Sequence, residues 1–172
     1  MNFKLNQENL KLFSSFVIIM ILQISIFNNM NLFEIINPSF YLLIFIIYRT
    51  TFNKTSLILL GFLTGIIIDL TSQSYGCHTI AVITVCYMRG LIENYCFGVN
   101  ANIGKVMLSG VPLLNRITFF LIIILLHQLI YYSLIFFSFN FVDTIILYTL
   151  LNSIITFIVI WTTTKIFYDI KR

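Results

Sequence analysis

The sequence predicts an all-α integral membrane protein built as a six-helix transmembrane bundle. Of its 172 residues, 59% are hydrophobic and only 9% are charged. Soluble domains carry about 25% charged residues, and a water-soluble fold has no means of hiding this much apolar surface. A transmembrane helix needs about 20 residues. Six helices with short turns therefore account for nearly the whole chain, which we interpret as a single membrane domain over residues 1–172.

Apolar runs separated by short polar turns define the predicted spans. The second span runs from Ser39 to Tyr48 and reaches residue 33 when the preceding segment 33–36 is included. Pro38 suits the first turn of a helix because its missing N–H costs nothing there. The longest polar connection, residues 100–115, is expected to hold a short interfacial helix. The predicted spans cover residues 12–27, 33–48, 56–70, 78–97, 117–137 and 144–163.

The basic residues predict how the spans are oriented. If the connections alternate between the two sides of the membrane, all ten Lys and Arg residues except Arg89 fall on one side. Arg89 lies inside a span, nearer that same side, and the opposite side holds Glu34 and Asp143. Basic residues in short loops stay cytoplasmic, so both termini are expected in the cytoplasm. The net charge of +4 is then a topology signal, and we expect the lipid bilayer, not nucleic acid, as the surroundings.

The most informative part of the chain is the third and fourth spans with the polar turn between them, residues 71–77. Gly61, Gly65 and Asp69 are spaced by four, so they share one face of the third span. A Gly-xxx-Gly pair lets another helix approach closely. Because a carboxylate at membrane depth is costly, Asp69 is expected to anchor the turn through free N–H groups, nearby hydroxyls or His78. Plain solvation at the headgroups and proton or ion transport are the alternatives for this acid.

Further polar groups lie inside the predicted spans. Arg89 is expected to pair with Glu93 one turn later or to extend to the cytoplasmic interface. His127 and Gln128, in the middle of the fifth span, are expected to make an interhelical hydrogen bond, with ligand binding as the alternative. Gln23 of the first span is a candidate partner for them.

The residue patterns that carry enzymatic chemistry are missing from the sequence. It contains no nucleophile with a neighbouring base, no HExxH motif, no phosphate-binding loop and no pair of catalytic carboxylates. Cys77, Cys86 and Cys96 form no CxxC pair and are interpreted as small apolar residues. We therefore expect a protein that is not an enzyme and that uses no cofactor or metal.

One motif in the central part of the chain is specific enough to indicate a family. A G-F-L-x-G-x-x-x-D-L helix is followed by a short serine-containing turn and then by G-x-H-x-x-A at the start of a new helix. Upstream lie the adjacent residues Leu22 and Gln23 and a proline that opens the second span. This pattern resembles the bacterial rod shape-determining protein MreD family over about residues 21–90. The matching positions are Leu22, Gln23, Pro38, Gly61, Gly65, Asp69, Leu70, Gly76, His78 and Ala81.

The resemblance implies a non-enzymatic scaffold of the cell-elongation complex, located in the bacterial inner membrane. It implies MreC as the direct partner and, through MreC, MreB and the pair of a SEDS glycosyltransferase and a class B penicillin-binding protein. The family's fold is thought to be similar to that of energy-coupling-factor transporter S-components. Candidate residues for a fold anchor or an MreC contact are Gly61, Gly65, Asp69, Gly76 and His78.

The main alternative function is a small-solute-binding membrane subunit of a vitamin-type transporter, which has the same size and number of spans. Such a binder needs several aromatic and polar side chains that converge on its outer side, whereas the predicted outer turns are short and plain. An assembly factor for another complex and a small membrane enzyme are the remaining alternatives.

Overall fold

The structure, a computed structural model, describes the backbone of residues 2–30, 36–47, 53–98 and 111–169 and the side chains of residues 14–30, 36–47, 53–98 and 111–166. Short 3-10 turns follow α1 at Phe27–Asn29 and precede α6 at Phe139–Phe141. The helices are α1 (Asn2–Ser25), α2 (Leu42–Ile47), α3 (Lys54–Ser72), α4 (Cys77–Phe97), α5 (Leu113–Phe136) and α6 (Val142–Asp169).

Four segments are long and apolar enough to cross a membrane. Many of their outward-facing side chains are aliphatic, such as Leu59, Leu63 and Ile154, each more than half exposed. This pattern fits helices surrounded by lipid, in which the backbone hydrogen bonds are satisfied within each helix. For the described residues, the prediction of an all-helical bundle is therefore confirmed, and four of its segments are compatible with membrane spans. The four segments are Lys54–Ser72, Cys77–Phe97, Leu113–Phe136 and Phe139–Ile166.

Consecutive helices pack side by side in the order α3, α4, α5 and α6, and α1 and α2 close the bundle against α3 and α5. Helices α4 and α5 are antiparallel, because His78 stacks on Tyr131 at one end and Phe97 contacts Phe119 at the other. The α3–α4 and α5–α6 turns therefore lie at the same end, which we name the Asp69 end. The opposite end, where α3 and α5 begin, is named the Lys54 end.

The second predicted span differs from the observed structure. Helix α2 covers only Leu42–Ile47, and residues 36–41 before it are not helical. The placement of Pro38 in the first turn of a helix was therefore wrong. Its carbonyl instead accepts hydrogen bonds from Gln23 Nε2 at 3.2 Å and from the Phe40 N–H at 3.1 Å. The helix starts late because side chains of other helices take over the backbone hydrogen bonding of this segment.

Other helix ends extend beyond the predicted apolar runs. The structure begins α1 at Asn2 and ends α6 at Asp169, against predicted limits of 12 and 163. Hydropathy detects only the apolar part of a helix, whereas the hydrogen-bonded backbone continues into polar sequence. The interfacial helix expected within residues 100–115 lies mostly outside the described residues, and so do positions 33–35 and 48 of the second span.

Candidate functional site at the Asp69 end

The turn between α3 and α4 has an unusual backbone. Gln73, Tyr75 and Gly76 all adopt left-handed conformations, with φ of 54°, 52° and 92°. A residue other than glycine in this region costs about 1–3 kcal/mol, so it persists only where its surroundings hold it. The side chain of Tyr75 contributes little to holding this backbone in place, because it is 98% exposed.

The carboxylate of Asp69 holds the turn. Its Oδ1 accepts hydrogen bonds from Ser74 Oγ at 2.5 Å and from the His78 N–H at 3.0 Å. Its Oδ2 accepts from the Thr79 N–H at 2.9 Å and from Thr79 Oγ1 at 2.5 Å. Two of these donors are N–H groups of the first turn of α4, which have no partner within the helix and near which negative charge is favourable. This is the arrangement that the sequence predicts for a turn anchor.

The glycine face of α3 lies against α4. A Cβ atom on Gly65 would lie 2.4 Å from the Cα atom of Thr79, and one on Gly61 would lie 2.8 Å from Cys86 Sγ. The two helices therefore approach so closely that only glycine fits, and this contact brings Thr79 within reach of Asp69. The face is filled by α4 and leaves no room for a partner, so a partner contact at this site involves the turn.

The His78 side chain points into the core, away from the carboxylate that binds its backbone. The Tyr41 hydroxyl lies 2.9 Å from His78 Nδ1 and 2.7 Å from His127 Nε2. A hydroxyl has one proton, so it donates to one imidazole and accepts from the other. Sequence reasoning missed Tyr41, because it sits in an apolar run that was interpreted as an ordinary span.

Polar side chains from two helices, α1 and α6, satisfy the backbone of residues 36–41. Non-helical backbone at membrane depth is stable only where protein supplies its hydrogen bonds. Alternate residues of the segment donate their N–H groups to side-chain oxygens: Asn37 to Asn152 at 2.7 Å, Ser39 to Thr156 at 3.2 Å and Tyr41 to Gln23 at 3.1 Å.

An interhelical hydrogen bond of α5 is present, because Gln128 Nε2 donates to Thr156 Oγ1 of α6 at 3.4 Å. Gln128 Nε2 also donates to Ser39 Oγ at 3.2 Å, and His127 bonds to Tyr41, both in the non-helical segment 36–41. The prediction of such bonds is confirmed, but Gln23 as their partner was wrong, because the amide of Gln23 is used by the segment before α2. The reason is geometric: this segment passes between α1 and α5.

Arg89 forms the intrahelical ion pair expected from its spacing. Its Nη2 lies 2.8 Å from Glu93 Oε1, and both side chains are almost fully buried. A buried charge is costly unless it is paired, and this pair lies in the half of α4 nearer the Lys54 end. Arg89 is therefore remote from the Asp69 end.

In comparisons with known proteins, no family model, no curated protein and no solved structure matches the chain. The likeness to MreD therefore depends on the residues of the motif alone. Several of these are in mutual contact: Gln23 donates to the Pro38 carbonyl, and Asp69 accepts from the His78 N–H.

A surface groove of about 500 Å³ lies beside the turn, with Ile66, Leu70 and Tyr75 in its lining. All four hydrogen bonds to the Asp69 carboxylate come from the chain itself, and they stabilise the wall of this groove. Among the described residues, no group of three or more His, Cys, Asp or Glu side chains is arranged to hold a metal ion. The geometry suits recognition by shape and apolar contact.

Proposed function

We propose that the chain is a non-enzymatic membrane scaffold of the cell-elongation complex in rod-shaped bacteria, similar to MreD. In this proposal, six spans cross the inner membrane, both termini are cytoplasmic, and the Asp69 end faces the periplasm. MreC binds directly at that end. MreB and the pair of a SEDS glycosyltransferase and a class B penicillin-binding protein are linked to the scaffold through MreC.

The observation that carries this proposal is the turn held by Asp69. Four hydrogen bonds fix a backbone with left-handed residues, and Tyr75 at its tip is 98% exposed. Strained and rigidly held loops concentrate at functional sites. The Asp69 carboxylate stabilises the turn. This structural role favours a contact surface as the function of the turn and gives no support to proton transfer.

The distribution of charge supports the proposed orientation. Lys54, Arg116 and Lys165 lie within α3, α5 and α6 close to the Lys54 end. Asp143 begins α6 at the Asp69 end. Since basic residues are retained in the cytoplasm, the Lys54 end is cytoplasmic in the proposal and the Asp69 turn is available to a periplasm-facing partner.

The test replaces Asp69 with Ala and, separately, Tyr75 with Gly, in cells whose own copy has been removed. Tyr75→Gly retains the left-handed backbone without strain and removes only the exposed side chain. Asp143→Ala is the matched control, because this acid lies at the same end and is exposed. The measurements are co-purification of MreC in mild detergent, the amount of protein in the membrane, and cell shape.

We expect both site variants to lose MreC and rod shape, while Tyr75→Gly accumulates to the normal level and Asp143→Ala behaves like the parent. Normal MreC binding and preserved rods in both site variants would remove the turn from the proposal. Loss of MreC in the Asp143 control as well would show that the assay reports general damage at this end.

A solute-binding membrane subunit is the second candidate function, and one observation favours it. The rings of Tyr41, His78, His127 and Tyr131 converge in the half of the bundle nearer the Asp69 end, as a binder requires. These rings contact one another, with centroids of His78 and Tyr131 4.0 Å apart. Mass spectrometry of the purified protein under native conditions distinguishes the functions, because a solute-binding subunit is expected to retain a small molecule.

A further inference from the structure

We propose that the buried cluster of Tyr41, His78 and His127 is an acid-sensitive latch. At neutral pH the latch fastens segment 36–41 to α4 and α5, and it opens when the cluster takes up one proton. The latch depends neither on MreC nor on the Asp69 turn as a contact surface. The proposed orientation is used only to name the side from which the proton comes, which is the periplasm.

Three elements meet at the Tyr41 hydroxyl. It lies 2.9 Å from Nδ1 of His78 in α4 and 2.7 Å from Nε2 of His127 in α5. Tyr41 and His127 have no exposed surface, whereas His78, at the Asp69 end of α4, keeps 6% of its surface exposed. Because Tyr41 is the last residue before α2, its hydroxyl ties the end of segment 36–41 to both helices.

The neutral cluster has one arrangement in which every buried donor has an acceptor. His127 donates from Nε2 to the Tyr41 oxygen, and the Tyr41 hydroxyl donates to His78 Nδ1. The reverse order places a proton on His127 Nδ1, a buried nitrogen with no hydrogen-bond partner within the described residues. Since a buried donor without an acceptor is costly, we expect both histidines to carry their proton on Nε2.

One further proton removes this arrangement. If the proton is added to His127, it occupies Nδ1, where no acceptor is present. If His78 is charged instead, its Nδ1 becomes a donor to the Tyr41 oxygen. Either the hydroxyl proton then loses its acceptor, or the proton of His127 moves to Nδ1. Each pattern leaves a buried donor unpaired beside a buried positive charge, and both costs fall when the cluster opens to water.

The neighbouring groups favour uptake of the proton by His78. Oδ1 of Asp69 lies 3.0 Å from the His78 backbone nitrogen, so negative charge is held beside this histidine. The side chains of α1 and α6 that bond segment 36–41 are uncharged: Gln23, Asn152 and Thr156. Within the described part of the chain, the titratable side chains that act on the cluster or on the ring stacked against it are Asp69 of α3, Cys77 and Cys86 of α4, and Tyr131 of α5.

The experiment uses the full chain in mild detergent, with nitrogen-15 in its histidines and a purification tag free of histidine. The chain has two histidines, both in the latch, and the variants His78→Gln and His127→Gln assign their signals. Spectra between about pH 8 and about pH 4, on both sides of the usual histidine titration, show which ring nitrogens carry protons. Hydrogen exchange of residues 36–47, corrected for the intrinsic effect of pH, shows whether the latch opens.

We expect both histidines to be protonated on Nε2 alone at neutral pH. When one histidine gains a second proton, protection of residues 36–47 should fall about tenfold, as for the loss of one buried hydrogen bond. Tyr41→Phe should have the weaker protection already at neutral pH and lose no more in acid. Tyr95→Phe, where the side chain is 79% exposed, is the matched control and should behave like the parent. Elution volume in size-exclusion chromatography verifies folding.

A parent whose residues 36–47 stay protected after a histidine has gained its second proton would overturn the latch. His78→Gln retains Asp69, so it separates the two groups that titrate at the same end, and it should lose no protection in acid. The same acid-dependent loss in His78→Gln or in Tyr41→Phe would assign the loss to Asp69 or another group and would also contradict the latch.

Discussion

At the scale of single residues, Asp69 shows how one side chain stabilises an unfavourable backbone. The left-handed conformations of Gln73 and Tyr75 cost about 1–3 kcal/mol each. Hydrogen bonds to a charged group contribute about 1.5–3 kcal/mol each, and this carboxylate accepts four. The hydrogen bonds therefore outweigh the strain and stabilise the turn, although the Tyr75 side chain at its tip is exposed.

Replacing Asp69 with Ala should lower the free energy of unfolding by about 3 kcal/mol or more, because buried N–H groups of His78 and Thr79 lose their acceptor. Thermal unfolding in detergent measures the effect. The control Asp143→Ala, in the first turn of α6, should cost less than about 1 kcal/mol, as expected for an exposed acid at a helix N-terminus. Similar losses for both variants would contradict the anchoring role of Asp69.

Replacing Tyr41 with Phe should destabilise the core by about 1–3 kcal/mol, because two buried imidazole nitrogens lose the hydroxyl they share. The ring itself is retained, so packing changes little. A double-mutant cycle with His127→Leu should show that the two effects are not additive. The control is Tyr95→Phe, where the side chain is 79% exposed. A Tyr41→Phe variant as stable as this control would be inconsistent with the hydrogen-bonded triad.

At the scale of helices, the contact between α3 and α4 depends on glycine. Gly65→Ala should cost about 1–3 kcal/mol, because its Cβ would overlap the backbone of Thr79 and the helices must separate. Gly90→Ala is the matched control: its Cβ meets nothing within 4 Å, and alanine favours helix by up to about 1 kcal/mol. In thermal unfolding, Gly65→Ala should therefore lower the stability of the protein and Gly90→Ala should leave it unchanged or raise it. Equal stability of the two variants would contradict the close approach of α3 and α4.

The same two helices explain what could be predicted from sequence. The limits of α3 and α4 were predicted within two residues, and the donors to Asp69 lie within ten residues of it. Local spacing is sufficient for such features. Segment 36–41 was not predicted, because its partners lie far away in sequence: Asn37 and Asn152 are 115 residues apart, and Tyr41 and His127 are 86 apart. Hydropathy carries no information about such pairs.

At the scale of the whole molecule, the two ends of the bundle differ in character. The Lys54 end gathers Lys54, Arg116 and Lys165 around aromatic rings. At the Asp69 end, several polar side chains point inward, where they bind backbone, and Tyr75, Phe137 and Phe139 are exposed. This asymmetry is consistent with the proposed orientation, in which the Lys54 end is cytoplasmic.

The proposed topology predicts where a reporter at the carboxyl end will be active. A fluorescent protein fused after Arg172 should be bright, and alkaline phosphatase at the same position should be inactive, because the proposed orientation places the Lys54 end in the cytoplasm. The same two reporters, each inserted between Phe139 and Phe141, should give the opposite result: alkaline phosphatase should be active there and the fluorescent protein dark. An active phosphatase at the carboxyl end would mean that the number of crossings is odd or the orientation inverted.

We propose that the turn held by Asp69 is the site where the protein binds MreC. The most direct measurement places a photo-crosslinking amino acid at Tyr75 in growing cells and identifies the attached protein by mass spectrometry. Tyr95, 79% exposed in α4 toward the Lys54 end, serves as the matched position. We expect an adduct with MreC from position 75 and none from position 95. No MreC adduct from position 75, or the same adduct from both positions, would contradict it.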